Sequence, residues 1–189
     1  YTSTWEVYGE PEYEPMDEEH PTRPDHPYSA AKLAGEMAAR CAGRLQGVPV
    51  TVLRLGSAYG PGMRGKSVFS IFIGRASQGQ RLTVFGDGTQ YRQWTHVRDI
   101  ARGFAGALAQ PEAAVGQTYN LVAPEKVTIG EMAQRIAERY GVELTYGPAR
   151  PGDVPPALVS SEKAFRDLGW EAEIAFADGL AELLERGTA

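Results

Sequence analysis

Two side chains in the segment HPYSAAKLAGE have the types and the spacing for proton transfer. Tyr28 and Lys32 are four residues apart, so in a helix their side chains lie on one face. A tyrosine with its reference pKa of about 10 is a poor base at pH 7, and a lysine ammonium one turn away favours the phenolate. We therefore expect a tyrosinate that can take a proton from a substrate hydroxyl while hydride leaves the carbon that carries this hydroxyl. Lys32 could also hold ribose hydroxyls.

The spacing by itself is weak support for this chemistry. The chain contains nine tyrosines and four lysines, so a Tyr-x-x-x-Lys match also arises by chance. Whether the two side chains face one site depends on the strands and helices around them.

Strands alternate with helices along the chain. Segments rich in β-branched and aromatic residues predict strands at 1–9, 48–55, 81–85, 90–97, 117–122 and 142–147. Apolar periodicity predicts helices at 28–46, 67–77, 99–108, 128–140, 161–168 and 176–186, and a loop at 56–66. Asp99 and Thr128 are predicted N-caps, while Gly47 and Gly141 end their helices. This alternation is typical of an α/β fold with parallel strands.

Five motifs appear in a fixed order around the Tyr–Lys helix. They are STWEVYG at 3–9, LRLGSAYGPG at 53–62, FGDGTQYRQWTHVRDIA at 85–101, ARPGDV at 149–154 and EKAFRDLGW at 162–170. Together with Tyr-x-x-x-Lys, this series resembles the extended short-chain dehydrogenase/reductase family, in particular its members that act on nucleotide sugars. The resemblance covers nearly the whole chain.

The resemblance implies a fold and its ligands. Residues 1–63 would form the C-terminal part of an NAD-binding, Rossmann-like domain with a doubly wound parallel sheet and the Tyr–Lys helix. Residues 64–189 would form mainly a small mixed α/β lobe that binds the substrate. NAD would be the cofactor, and a UDP- or dTDP-sugar the substrate.

The resemblance also implies roles for five residues on the cofactor side. Tyr28 would be the acid/base, and Thr4 would hydrogen-bond the same sugar oxygen and relay its proton. Lys32 would tune Tyr28, and Tyr28, Lys32 and Leu55 would contact the cofactor. Glu6 would keep one catalytic acid at the site.

A second group of residues is implied to bind the nucleotide sugar. Arg92 and Arg150 match positions that pair with the diphosphate, for which the planar guanidinium fork is suited. Thr83 and Phe85 match the segment that holds the base, although core packing equally explains an apolar strand there. Ser57 stands where the family's usual Asn touches the sugar phosphate, which leaves the substrate's identity open. For either arginine, the alternative is a solvated surface side chain.

Three glycines in AYGPGMRG fit the dinucleotide-binding pattern G-x-G-x-x-G. A phosphate-binding loop of this kind follows the first strand of its domain, whereas Gly60, Gly62 and Gly65 come after the Tyr–Lys helix. We therefore predict that these glycines contact no pyrophosphate. The family's own glycine loop would lie upstream of Tyr1, and a strand starting at residue 1 without Met suggests a chain cut inside a larger domain.

The residues after Thr4 distinguish reactions within the resembled family. Its 4,6-dehydratases carry Thr-Asp-Glu, its UDP-glucuronate decarboxylases Thr-Ser-Glu, and simple 4-epimerases neither acid. This chain has Thr4-Trp5-Glu6, and an indole cannot protonate a leaving hydroxyl. We therefore expect a 4-epimerase working through a 4-keto intermediate, with decarboxylase and dehydratase as alternatives. A non-catalytic fragment that binds nucleotide sugar is the alternative from another class.

Composition narrows the remaining possibilities. The net charge of −5 provides no basic stripe for nucleic acid and no polybasic membrane patch. One cysteine excludes an internal disulfide, and the spacing of the three histidines does not suggest a metal site. No secretory signal or membrane span is visible, so we expect a cytoplasmic protein. The resemblance implies a homodimer through the far side of the Tyr–Lys helix, at Met37, Ala38 and Cys41.

Overall fold

The computed structural model describes residues 1–63, 67–149 and 157–186 of the chain. Its strands are β1 (Thr2–Thr4), β2 (Val52–Leu55), β3 (Ser57–Tyr59), β4 (Leu82–Phe85), β5 (Tyr91–Arg92), β6 (Trp94–His96), β7 (Thr118–Leu121), β8 (Val127–Thr128) and β9 (Leu144–Gly147). Its α-helices are α1 (Pro27–Gln46), α2 (Val68–Ala76), α3 (Val97–Ala109), α4 (Pro111–Ala114), α5 (Ile129–Tyr140), α6 (Glu162–Leu168) and α7 (Phe176–Arg186). A 3-10 helix covers Trp5–Tyr8.

The chain divides into two compact units. Unit 1 contains Tyr1–Ala58, Gln93–Pro124 and Ala157–Glu173. Unit 2 contains Tyr59–Arg92, Glu125–Pro156 and Ile174–Ala189. The predicted boundary at 63/64 lies close to Ala58 and Tyr59, where the chain first passes from unit 1 to unit 2. The later segments Gln93–Pro124 and Ala157–Glu173 belong to unit 1, because β7, α3 and α6 pack with the first sheet. The assignment of 1–63 to the cofactor and of 64–189 mainly to the substrate stays a prediction.

Unit 1 is built on a three-stranded parallel sheet in the order β1-β2-β7. Thr4 pairs with Leu55, and Leu55 pairs with Leu121, so the carboxyl ends of all three strands meet at one edge. Ligands of open α/β sheets bind outside this edge. The sequence's candidate Thr4 therefore stands at the expected place in the sheet.

Helices cover both faces of this sheet. On one face, an apolar cluster that includes Leu53, Tyr119, Leu121 and Trp170 joins the strands to α4 and α6, with Phe104 of α3 packed against it. Because side chains alternate along a strand, Arg54 points to the other face, where it binds Glu36 of α1. The sheet is therefore buried between helical layers, as a doubly wound α/β architecture requires.

Unit 2 is smaller and mixed. Its strands β4 and β9 pair in parallel, and β5 and β8 pair antiparallel. Its core is apolar and is formed mainly by α2, β4 and α5, with buried side chains Phe69, Phe72, Ile73, Leu82, Val84, Met132 and Ile136. Thr128 and Glu131 form a capping box at the start of α5, and Gly141 ends that helix in the left-handed conformation, as predicted.

Several local predictions were wrong, each for a local reason. The first strand ends at Thr4, because the Thr4 side chain caps the 3-10 helix that follows. The cap of α3 is His96, whose Nδ1 accepts from the Arg98 amide, while Asp99 is buried in the first turn and binds Arg102. The predicted loop contains β3, and helix α4 was not expected. None of the described helices combines the length and apolar composition that a membrane crossing needs.

Candidate active site

Thr4 lies at the point where β1 ends and the 3-10 helix begins. Its backbone is extended, with φ −144° and ψ 150°, and its Oγ1 accepts a hydrogen bond from the Glu6 amide at 3.3 Å. The residue is only 6% exposed. The cap therefore holds the Thr4 hydroxyl at the carboxyl edge of the sheet.

Tyr28 is placed by the N-terminus of α1. His26 caps this helix through Nδ1, which accepts from the Ser29 amide at 3.3 Å, and Pro27 occupies the first helical position. The Tyr28 side chain remains 52% exposed. The Thr4 side chain acts on its hydroxyl in the direction that favours the phenolate. The predicted pair of hydroxyls is thus brought together, one from a strand end and one from a helix start.

Lys32 lies one turn along α1 from Tyr28, as the spacing predicted. Its Nζ donates to the Thr2 carbonyl at 3.1 Å and lies 5.9 Å from the centroid of the Tyr28 ring. It also lies 5.8 Å from the centroid of the Tyr1 ring. The ammonium is therefore fixed to the backbone of β1, beside the two rings.

The pKa of Tyr28 lies above its ordinary value of 10, not below it as we expected from Lys32. Burial is the largest cause, and the Glu6 carboxylate and Tyr1 add to it. The hydrogen bond with Thr4 acts in the opposite direction, because it favours the phenolate. Burial and the Glu6 carboxylate outweigh the interactions that favour the phenolate, and Lys32 donates to the Thr2 carbonyl beside the ring; its role in tuning Tyr28 stays a prediction. With only these residues around it, Tyr28 keeps its proton at neutral pH and can act as an acid.

Glu6 is bound by a residue that the sequence did not single out. Its Oε2 lies 2.8 Å from His26 Nε2, and both side chains are less than a third exposed. The His26 ring also stacks on the Tyr28 ring, with centroids 6.0 Å apart and an angle of 8° between the planes. The available signal was the position of His26, directly before Pro27 at the helix start, where Ser, Thr, Asp and Asn are the usual caps.

A second group of residues, which the sequence analysis did not single out, attaches α1 to the sheet. Arg54 Nε and Nη2 donate to the two carboxylate oxygens of Glu36 at 3.0 and 2.8 Å, and both residues are at least 95% buried. The Arg54 guanidinium lies 4.7 Å from the Tyr8 ring, and the Tyr8 hydroxyl donates to Asn120 at 2.7 Å. Burial raises the pKa of Tyr8 to about 12. The visible signal was Arg54 in an otherwise apolar strand.

Leu55 and Ser57, the remaining candidates of unit 1, lie near the same sheet edge. Leu55 ends β2 beside Thr4, but its side chain packs against the apolar cluster on the face away from α1. Any contact with a cofactor would therefore come from its backbone or the edge of its side chain. Ser57 is half-buried at the start of β3. Both assignments stay predictions.

Three substrate-binding candidates belong to unit 2. Thr83 and Phe85 are half-buried on β4, and the Thr83 and Thr145 hydroxyls lie 3.2 Å apart. Arg92 lies on β5, where its Nη1 donates to the Tyr91 carbonyl at 2.7 Å. Arg150 lies outside the described residues. The roles of these four residues in binding stay predictions.

The geometry around the glycine pattern supports its exclusion as a phosphate loop. Gly60 and Gly62 have φ of 141° and 81° and form a turn after β3, in which the Met63 amide donates to the Gly60 carbonyl at 3.3 Å. The next helix, α2, begins only after Ser67, whose side chain caps it in a box with Ser70. The third glycine of a dinucleotide loop belongs inside the helix. Gly65, which lies outside the described residues, precedes this cap.

Acid/base chemistry at a single hydroxyl is what this arrangement can perform. Thr4 and Tyr28 present two hydroxyls at the carboxyl edge of a parallel sheet, with one ammonium and one carboxylate beside them. Trp5, by contrast, is 8% exposed and offers no carboxyl group. Within the described ranges, no three His, Cys, Asp or Glu side chains converge as metal ligands would.

This combination defines a class: Rossmann-like α/β proteins with a Tyr–Lys pair on a helix that flanks the sheet. A family model described as GDP-mannose 4,6 dehydratase matches residues 1–183. The chain belongs to the extended short-chain dehydrogenase/reductase family, among the NAD-dependent nucleotide-sugar epimerases and dehydratases.

Relatives with different activities resemble the chain to a similar degree. It is 34% identical over 98% of its length to a dTDP-glucose 4,6-dehydratase of Streptomyces niveus. It is 33% identical over 94% of its length to a putative UDP-glucose 4-epimerase of Methanocaldococcus jannaschii. A UDP-glucuronic acid 4-epimerase of Bacillus cereus, solved with UDP-glucuronic acid and NAD, matches 98% of the chain with a TM-score of 0.89 and 27% identity.

The chain spans just over half the length of these relatives. It covers 55% of the Streptomyces niveus protein, 58% of the Methanocaldococcus jannaschii protein and 59% of the Bacillus cereus chain. The matched part contains the Tyr–Lys helix and the strands beside it.

Proposed function

We propose that the protein containing this chain is an NAD-dependent nucleotide-sugar 4-epimerase that works through a 4-keto intermediate. The observation that carries the proposal is the set of side chains at the carboxyl edge of the sheet: Thr4 ends β1 and acts on the Tyr28 hydroxyl, Lys32 lies beside Tyr28, and a buried indole stands at Trp5. This set can remove and return one proton at one sugar oxygen. It contains no carboxylic acid at position 5 that could expel a hydroxyl.

In the proposed mechanism, Tyr28 and Thr4 hold the oxygen on carbon 4 of the sugar between their hydroxyls. Tyr28, as the phenolate, accepts the proton of that oxygen while the carbon loses hydride, so a C=O bond replaces the O–H and C–H bonds. On return of hydride to the opposite face, Tyr28 gives the proton back. Thr4 acts on the Tyr28 oxygen and so stabilises the phenolate that exists before the proton is taken and after it is returned.

The donors at this site fit a nicotinamide dinucleotide. An ammonium has three N–H groups, and Lys32 uses one of them on the Thr2 carbonyl, so two remain for ribose hydroxyls. Tyr28 is exposed beside it. When bound, NAD supplies the hydride acceptor and a positive charge near the reacting oxygen. That charge is of the sign needed to lower the raised pKa of Tyr28.

Glu6 keeps the two related reactions open as alternatives. A carboxylate at this position could take a proton from carbon 5, as elimination requires. The observation against this is the contact of Glu6 with His26, because the carboxylate oxygen that lies 2.8 Å from His26 Nε2 is already engaged and less available to a substrate. We therefore place epimerisation first and dehydration or decarboxylation second.

Product analysis tests the proposal. The protein expressed from its complete gene would be incubated with NAD and, separately, UDP-glucose, dTDP-glucose and UDP-glucuronate, with products followed by proton NMR. We expect the 4-epimer of one of these sugars. A 4-keto-6-deoxy sugar would show a dehydratase, and a pentose with carbon dioxide a decarboxylase. Binding of a nucleotide sugar without an NAD response or turnover, measured by tryptophan fluorescence, would show a binding module.

We also propose that the protein forms a homodimer through the far side of α1. Met37 is 61% exposed there, and Ala38 and Cys41 are exposed as well. Light scattering should give twice the protomer mass, and Met37→Asp should shift the distribution toward monomer. A Met37→Asp variant that elutes unchanged would contradict this interface.

A further inference from the structure

His26 makes three contacts at the candidate site, and they use different parts of one imidazole. Nδ1 accepts from the Ser29 amide at 3.3 Å, Nε2 lies 2.8 Å from Glu6 Oε2, and the ring face stacks on Tyr28. Asp25 Oδ1 is a more distant neighbour of Nε2, at 3.9 Å. The side chain is 29% exposed, so water reaches only part of it.

These contacts select one form of the neutral ring. Because Nδ1 accepts the Ser29 N–H, the proton of the neutral imidazole belongs on Nε2, from which it is donated to Glu6. The helix cap therefore determines that His26 presents a donor, and not an acceptor, to the carboxylate. Nδ1 binds the backbone amide of Ser29, and Nε2 binds the Glu6 carboxylate at the candidate site.

The contacts of His26 also close a ring around the reacting hydroxyl. Thr4 Oγ1 accepts from the Glu6 amide, and the Glu6 side chain meets His26. His26 stacks on Tyr28, and the Thr4 side chain acts on the Tyr28 hydroxyl. Thr4 and His26 thus link the end of β1 to the start of α1, in addition to the bond from Lys32 to the Thr2 carbonyl.

We propose that His26 is a positioning residue, whose Nε2–H holds the Glu6 carboxylate and whose ring holds Tyr28, so that the Tyr28 and Thr4 hydroxyls keep the spacing that proton transfer needs. The inference rests on the proposed role of Tyr28 as the acid/base. The competing explanation is that His26 only caps α1, as a serine or asparagine would. The two explanations differ in which ring nitrogen matters.

Two substitutions distinguish the role of His26 Nδ1 from that of Nε2. Both are made in the protein expressed from its complete gene. Asparagine places an acceptor near the position of Nδ1, so His26→Asn keeps the cap but cannot reach Glu6. Glutamine places an amide N–H near the position of Nε2, so His26→Gln keeps a donor to Glu6 but loses the cap. We expect His26→Asn to lower kcat by roughly 10- to 100-fold, with KM changed less than about twofold, because misplacement of reacting groups acts on turnover.

The glutamine variant should recover part of that loss. We expect its kcat to exceed that of His26→Asn by at least about fivefold, although its Tm should fall by about 2–4 °C through loss of the cap. Thr128→Ala, which removes the cap of α5, is the matched control: it should lower Tm similarly and leave kcat unchanged. Recovery by asparagine and not by glutamine, equal losses in both variants, or no loss in either would overturn the proposal.

A spectroscopic measurement checks the assignment independently of turnover. In the protein labelled with ¹⁵N-histidine, the His26 resonances are the ones that disappear in His26→Asn. Their chemical shifts should show a protonated Nε2 and an unprotonated Nδ1. The opposite tautomer would overturn the proposal. The two possible failures give different results. If the proposed function is wrong, Tyr28→Phe keeps full turnover. If only the role of His26 is wrong, Tyr28→Phe is inactive and His26→Asn is active.

Discussion

At the scale of single residues, the charge environment of Tyr28 sets the pH at which the site can work. Burial and the Glu6 carboxylate raise the pKa of Tyr28, and the hydrogen bond from Thr4 lowers it. A carboxylate and a hydroxyl therefore act on one phenol in opposite directions. This balance could not be deduced from the Tyr–Lys spacing, which suggested a lowered pKa.

Two substitutions should shift the pH dependence of turnover in opposite directions. Deprotonated Tyr28 is the active base, so a lower pKa makes activity appear at lower pH. Glu6→Gln removes a negative charge and should move the rising limb of the kcat–pH profile to lower pH. Thr4→Val removes a hydrogen bond to the phenolate and should move it to higher pH. Profiles of both variants test this, and shifts of the same sign would contradict it.

Arg92 permits a prediction about the substrate. If it binds the diphosphate, Arg92→Ala removes a charge-assisted hydrogen bond, a loss of roughly 1.5–3 kcal/mol, or about 10- to 100-fold in Kd for the nucleotide sugar. The nucleoside without phosphates should bind almost unchanged. Calorimetric titration of both ligands measures this. Equal weakening for the two ligands would show a folding defect instead of a lost phosphate contact.

At the scale of elements, helix α1 depends on a buried ion pair. The Glu36 carboxylate meets the guanidinium of Arg54 on β2, and Arg54 Nη1 is buried without a hydrogen-bond partner among the described residues. The pair therefore fixes the helix that carries Tyr28 and Lys32 to the sheet that carries Thr4. The position of the site depends on this attachment.

Loss of that carboxylate should destabilise the protein strongly. Glu36→Ala leaves an unpaired charge in the core, which costs about 3–5 kcal/mol of the free energy of unfolding. Asp167→Asn, which breaks a pair with an Arg166 side chain that is 69% exposed, is the control and should cost less than about 1 kcal/mol. Urea denaturation compares them. A loss in Glu36→Ala no larger than in the control would mean that the pair does not anchor the helix.

Much of the element order could be predicted from the sequence, because local signals determine it. Gly47 ends α1 in the left-handed conformation, and the Thr128 cap starts α5, as their residue types indicate. The strand predicted through Gly9 failed, since Trp5, Val7 and Tyr8 favour strands but the Thr4 cap starts a helical turn.

The candidate site was only partly accessible to the same reasoning. Tyr28 and Lys32 follow from spacing within one helix, and Thr4 from its motif. The contact of His26 with Glu6 joins segments on either side of a long loop, and the Arg54–Glu36 pair joins a strand to a helix. Such contacts depend on how the chain folds back, which local periodicity does not determine.

At the scale of the whole molecule, the chain combines two units whose segments alternate along the sequence. The residues proposed for proton transfer, Thr4, Glu6, Tyr28 and Lys32, all belong to unit 1, whereas Thr83, Phe85 and Arg92 belong to unit 2. Since the chain covers 55–58% of the two curated relatives, the activity must be measured on the protein expressed from its complete gene.

The turnover of Tyr28→Phe on the substrate found by product analysis shows whether Tyr28 is the acid/base. The phenylalanine keeps the ring and its stacking on His26 but removes the hydroxyl that exchanges the proton. Turnover should fall by at least about 10²- to 10⁴-fold, with little change in the unfolding midpoint. Near-normal turnover in a folded Tyr28→Phe protein would contradict both the role of Tyr28 and the epimerase proposal.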